Sequence, residues 1–168
     1  MSFVANSSRD AGPTIAGFFF QVNMSILRWL DLGPLQHLEL EHGEDIDTVD
    51  PITVGEEATE KRLLEQLKIR SRKSVTLRSI EALEALANCC THTHLNRGTQ
   101  LQFRYLTTAN IGIEKGWMGS QAAIATWQSI REGEYRDEAR TEETELLRLF
   151  IAGLSRPSKI SKQSWDLL

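Results

Sequence analysis

From Thr14 to Leu30 apolar side chains recur at helical spacing. Ile15, Phe18, Phe19, Val22, Ile26, Leu27 and Leu30 predict a helix with Thr14 as its cap. Phe20, Met24 and Trp29 widen the apolar surface, so this helix is expected to be buried on most of its circumference. Gly33-Pro34 ends it. Leu35 to Glu41 then alternates, with Leu38 and Leu40 against His37, Glu39 and Glu41, which is the two-residue period of a strand. Gly43 breaks that strand, a second can start over Asp45 to Val49, and Asp50-Pro51 and Gly55 mark turns. Leu63 to Arg70 is expected to form a third strand, although Glu56 to Arg62 just before it favours helix by propensity.

Leu77, Ile80, Leu83, Leu86 and Ala87 predict a helix from about Thr76 to Cys90. Leu101, Phe103 and Tyr105 alternate with Gln102, Arg104 and Leu106, a strand over Leu101 to Thr107. Two further helices are expected over Gln121 to Ile130 and Thr144 to Leu154, with Pro157 closing the last. This order implies an α/β fold with a small mixed sheet flanked by helices. Residues 1–13, rich in Ser, Asn and Gly, are expected to form a flexible arm, residues 14–154 the folded domain, and the polar residues 155–168 a tail or linker.

A length of 168 residues suits one domain with a proper core. No run reaches the ~18 apolar residues of a membrane-spanning helix, and no secretory pattern opens the chain. A cytoplasmic location without membrane contact is the expectation. Adjacent Cys89 and Cys90 make a poor disulfide and suit a reducing compartment. A net charge of −4 argues against nucleic-acid binding by bulk attraction, but it leaves room for a local basic strip.

The chemistry concentrates in Gly43-Glu44-Asp45-Ile46-Asp47 and, some twenty residues on, Glu65-Gln66-Leu67-Lys68. On a strand Gln66 and Lys68 share one face, while Glu65 and Leu67 take the other. A hairpin that sets Asp45 beside that face brings together a carboxylate, an amide oxygen and an ammonium. Asp45 would hold Mg²⁺, Gln66 would add a weak ligand, and Lys68 would orient water or stabilise charge on phosphate. Glu44 and Asp47 are further metal-ligand candidates, with Glu41 a nearby alternate. Lys68, Arg70 and Arg72 would fall on one face of a continuing strand, followed by Lys73 and Arg78, a ridge suited to a phosphate backbone. The same residues also fit a solvated acidic turn and a charged strand edge. Cys89-Cys90-Thr91-His92-Thr93-His94 lacks the second ligand pair of a zinc site.

Four stretches in order carry a resemblance: Ala16-Gly17-Phe18-Phe19-Phe20-Gln21, Gly43-Glu44-Asp45-Ile46-Asp47, Gln66-Leu67-Lys68 and Phe103-Arg104-Tyr105-Leu106-Thr107-Thr108-Ala109. Over about Gly12 to Phe150 the chain resembles the double-stranded-DNA endonuclease domain of bacterial anti-phage effectors of cyclic-oligonucleotide signalling (CBASS). That domain type looks to be shared with antiviral STAND ATPases and with nucleases that partner a HerA-type helicase. The resemblance implies a restriction-endonuclease-like core of the PD-(D/E)xK type, α/β with a mixed sheet flanked by helices. It also implies Mg²⁺ (or Mn²⁺) as cofactor, double-stranded DNA as substrate, and a homo-oligomer. Asp45 would be the metal-binding acid, Gln66 the second-acid position, Lys68 the catalytic lysine, and Gln21 would face the site. Pro51 and the charged run between Asp45 and Gln66 depart from a clean hairpin, and no sensor or ATPase module is evident in this stretch. A non-catalytic assembly or docking domain with the same fold is the alternative, and an RNA-cleaving relative a more distant one.

Overall fold

The computed structural model describes residues 12–54, 57–70, 74–119, 121–132, 137–158 and 160–166. Their elements run α1 (Gly12–Leu30), β1 (His37–Leu40), β2 (Ile46–Val54), β3 (Glu57–Lys68), α2 (Ile80–Leu95), β4 (Gln100–Thr107), α3 (Ala123–Glu132), α4 (Asp137–Ala152) and α5 (Lys162–Trp165). The chain divides into two compact units, Met1–Arg70 with Asn96–Thr108 and Ser71–Leu95 with Ala109–Leu168. The class is mixed α/β.

The first unit holds a four-stranded sheet in the order β1-β2-β3-β4. β1, β2 and β3 pair antiparallel, with Leu40 opposite Ile46 and Ile46 opposite Glu65. β4 pairs parallel to β3, Glu65 opposite Arg104 and Lys68 opposite Thr107. Two expectations give way here. The turn at Asp50-Pro51 is absent, because β2 runs on to Val54. β1 ends opposite Val49, so Pro51 has a strand neighbour on β3 alone, and a missing N–H is tolerated on such an edge. The helix-prone run before Leu63 is strand, since β3 pairs with β2 all the way back to Glu57 and that ladder outweighs a weak propensity.

Ile46, Val49, Leu64 and Leu67 form the buried centre of β2 and β3. α1 does not bury its apolar side as expected. It meets the sheet through Gln21 and Arg28, which bond Asp45 and Glu65, while Phe18, Phe19, Trp29 and Leu30 are exposed. Glu65 explains the rotation. A carboxylate with no exposed surface requires a cation, and the Arg28 guanidinium grips it with two bonds of 2.5 and 2.9 Å. Turning α1 to bury its aromatics would withdraw that arginine.

In the second unit Leu77, Ala123 and Leu147 form one core, joined by Trp117 and Phe150. Leu83, Ala87 and Ile160 form another, with Trp165 against it. Residues 155–168, expected to be a tail, thus supply Ile160 and Trp165 to the packing on α2. Glu114 is buried and accepts from the Leu77 N–H at 2.9 Å and the Ala123 N–H at 3.0 Å, fixing the start of α3. α2 begins four residues later than the apolar pattern suggests because Thr76 to Ser79 form a turn, closed by Ser79 N–H to the Thr76 carbonyl. Residues 1–11 of the expected arm lie outside the described residues, and Gly12 already opens α1.

Candidate functional site

Asp45 directly precedes β2, whose register with β3 begins at the Ile46–Glu65 pair. On β3, Gln66 and Lys68 share one side of the sheet and Glu65 and Leu67 take the other, while Asp45 meets the end of that strand through the Leu67 N–H. Asp45 is thus set against the β3 segment that carries Gln66 and Lys68.

Asp45 is held at both ends. Its Oδ2 accepts the Leu67 N–H at 2.5 Å. Its carbonyl accepts the Gln21 Nε2 at 3.2 Å and the Glu41 N–H at 3.4 Å. Gln21 also donates to Glu41 Oε1 at 2.5 Å, so α1, which grips Glu65 on the face opposite Gln66 and Lys68, holds the Asp45 backbone. Asp45 Oδ1 is left without a protein partner among the described residues. Gln66 Oε1 is buried and likewise accepts no hydrogen bond among them. A buried acceptor without a donor is costly, on the order of 1–3 kcal/mol, and a bound cation would satisfy it. Lys68 forms no ion pair among the described residues, which leaves its ammonium available to an incoming anion.

Asp47 and Glu44 are occupied differently. Asp47 is fully buried; its Oδ2 accepts the Gly43 N–H at 2.8 Å and its Oδ1 the Glu44 N–H at 3.0 Å. This carboxylate braces the turn that carries Asp45. Only a glycine fits at 43, since a Cβ there would lie 2.6 Å from Leu64 Cδ2 and 2.7 Å from Asp47 Oδ2. Glu41, at the start of the turn, has φ of 55°, a left-handed value that costs a non-glycine residue roughly 1–2 kcal/mol. Strain of this kind persists where surroundings fix it, here through Gln21.

Along the same face, Arg62 donates to Glu60 Oε1 at 2.5 Å and Glu39 Oε2 at 2.6 Å, and lies 3.7 Å from Asp47 Oδ2. The bond from Arg62 draws the Glu39 carboxyl below its ordinary pKa. Glu60 and then Glu39 raise that of Arg62. On the other face Arg104 joins Arg28 on Glu65, at 2.9 Å. Neither cluster is evident from motif spacing; the one signal was the cation-acid alternation of β3.

β3 stops at Lys68, so the strand does not carry a basic ridge on through Arg70. Arg70 instead bonds Thr108, its N–H to Oγ1 at 2.9 Å and its carbonyl accepting from Oγ1 at 3.2 Å. Arg72 and Lys73 lie outside the described residues. Among the described residues no group of three or more His, Cys, Asp or Glu is placed to hold a metal ion, so a cation at Asp45 would rely on one carboxylate, the Gln66 amide, water and substrate. Mg²⁺ tolerates such a sparse set where phosphate completes it. Cys89 and Cys90, on α2, are in no disulfide, and burial raises the pKa of Cys90.

No protein-family model, curated protein or solved structure matches this chain. Among the described residues no helix is long and apolar enough to cross a membrane.

Proposed function

We propose that this chain is a metal-dependent endonuclease domain that hydrolyses phosphodiester bonds of double-stranded DNA, with a restriction-endonuclease-like core. The observation that carries the reading is Asp45 bonded to the Leu67 N–H, between Gln66 and Lys68, with the Gln66 Oε1 buried and unbonded. The chain order of helix, three antiparallel strands, helix, and a strand parallel to the third supports that core. The setting the resemblance implies is bacterial anti-phage defence. There the domain would act with a second copy, since two DNA strands need two sites, and with a sensor, STAND ATPase or HerA-type helicase module.

Asp45 Oδ1 and Gln66 Oε1 are the oxygens that would hold Mg²⁺, or Mn²⁺ in its place. Bound there, the ion would polarise the scissile phosphate and lower the pKa of the attacking water. Asp45 cannot swing away, because Oδ2 is tied to the Leu67 N–H. Lys68 donates to the water or to the phosphate oxygen on which charge develops. Gln66 contributes no charge where a carboxylate would, so the free site would hold metal more weakly than once DNA phosphate joins it.

Plasmid cleavage with Mg²⁺ tests this, comparing wild type with Asp45→Ala, Gln66→Ala and Lys68→Ala, alongside calorimetric titration of Mn²⁺. Cleavage by wild type alone is expected, with Mn²⁺ binding lost in Asp45→Ala and kept in Lys68→Ala. Cleavage that survives both Asp45→Ala and Lys68→Ala refutes the site. A chain that binds no Mn²⁺ and cuts nothing is instead the docking domain.

A further inference from the structure

We infer that the outward face of α1 is the contact between two copies of this chain, packed antiparallel about a two-fold axis. Ile15, Phe18, Ile26 and Trp29 follow one another around Val22 at steps of three and four residues, a single stripe along the whole helix. The stripe faces away from the helix's own sheet, which it meets through Gln21 and Arg28. Ile15, Phe18, Phe19, Ile26, Trp29 and Leu30 are each 49–69% exposed. At about 200 Å² per large side chain they leave roughly 700 Å² of apolar surface uncovered. That exceeds the roughly 300–600 Å² of the largest patch on a typical monomer, and it approaches the ~800 Å² that each partner contributes to a standard interface.

The composition of the face selects the occupant. Arg28 is the one charged residue in α1, and it is spent on Glu65. A charged partner would find nothing complementary on this helix. A lipid surface is usually met by a helix with Lys and Arg along its polar face, and α1 has none to offer. A neutral apolar stripe is complementary to itself, and a two-fold axis places the same patch on both sides. The inference rests on this stripe. It takes from the nuclease reading only the expectation that two copies act together, and its readout is separate from cleavage.

The test is sedimentation of the full chain across a concentration series, for wild type, Phe18→Asp/Trp29→Asp, and a control, Met118→Asp, at another exposed position. Wild type and the control should dimerise, while the double variant weakens association at least about a hundredfold with an unchanged circular dichroism spectrum. Val22 lies near the middle of the stripe, so Val22→Cys should give a cross-linked dimer on mild oxidation that wild type, with Cys89 and Cys90, does not form. A wild-type monomer throughout overturns the inference, as does a dimer that ignores the double substitution. Wild-type binding to neutral phosphatidylcholine vesicles that the double variant loses would assign the face to lipid and equally overturn it.

Discussion

Gly43→Ala tests whether the turn that carries Asp45 is as tightly built as its geometry indicates. The added methyl would sit 2.6 Å from Leu64 Cδ2 and 2.7 Å from Asp47 Oδ2, well inside contact distance. Neither neighbour has room to retreat: Leu64 is 3% exposed and Asp47 not at all. Asp47 is moreover fixed by the bond it accepts from the Gly43 N–H itself. Overpacking a core position costs about 1–3 kcal/mol, and losing a hydrogen bond to a buried carboxylate about 1.5–3 kcal/mol. The substitution should therefore destabilise by about 3–5 kcal/mol, read as a fall in the urea midpoint at unchanged slope. Asp47→Asn keeps the volume but can no longer accept from both the Gly43 and Glu44 N–H groups, and should cost about 2 kcal/mol. Because both changes break one contact, the double variant should lose clearly less than the sum of the singles. A Gly43→Ala protein within about 0.5 kcal/mol of wild type, or strict additivity with Asp47→Asn, would refute this account of the turn.

Arg28→Ala leaves Glu65 buried with Arg104 as its one cation, and should cost about 2–4 kcal/mol in urea unfolding; Arg104→Ala, whose guanidinium is half exposed, should cost less than half as much. Gln21→Ala removes the bonds to the Asp45 carbonyl and Glu41 and is expected to lower cleavage kcat about tenfold with Mn²⁺ affinity changed far less, whereas an unaltered rate would show that α1 does not position Asp45. Glu39 is held below its ordinary pKa chiefly by Arg62, so its contribution to stability is complete above the usual carboxylate range, about 4.3, and is lost as pH falls through the lower folded value. Glu39→Gln should accordingly flatten the acid limb of a stability-against-pH curve, and an unchanged limb would count against the pair.

Much of this arrangement follows from local pattern. The period of two over Leu63 to Lys68 already separates Gln66 and Lys68 from Glu65 and Leu67, and the ladder keeps that separation. The helix expected over Thr14 to Leu30 marks α1 to within two residues. What periodicity cannot show is which side of an element meets its neighbour. α1 is turned by the need of Glu65 for a cation, a demand set by a residue 37 positions from Arg28. Pro51 signals a turn by its own chemistry, yet it lies in a strand because β1 ends short of it. Asp47 resembles a metal ligand until its two N–H donors are visible; Gly43 marks the turn that supplies them, but not the carboxylate they meet. Ile160 looks like part of a polar tail until Leu83 and Ala87 are found beside it.

The parallel pairing of β3 with β4 governs the order in which the candidate site is assembled during folding. β2 and β3 are joined by a short link and can zip locally, so Asp45 and Gln66 meet early, whereas Lys61 finds Gln100 only after the intervening chain closes a long loop. Until that happens Glu65 lacks Arg104, and the end of β3 lacks the Thr108 bonds that hold Lys68 and Arg70. A chain emerging from the ribosome would thus carry an unfinished site until β4 had cleared the exit. Refolding followed by pulsed hydrogen exchange should show the β2–β3 amides protected before those of β4, and simultaneous protection would remove the delay. For a protein whose proposed reaction would damage the chromosome beside it, such a sequence of assembly would keep the half-made chain harmless.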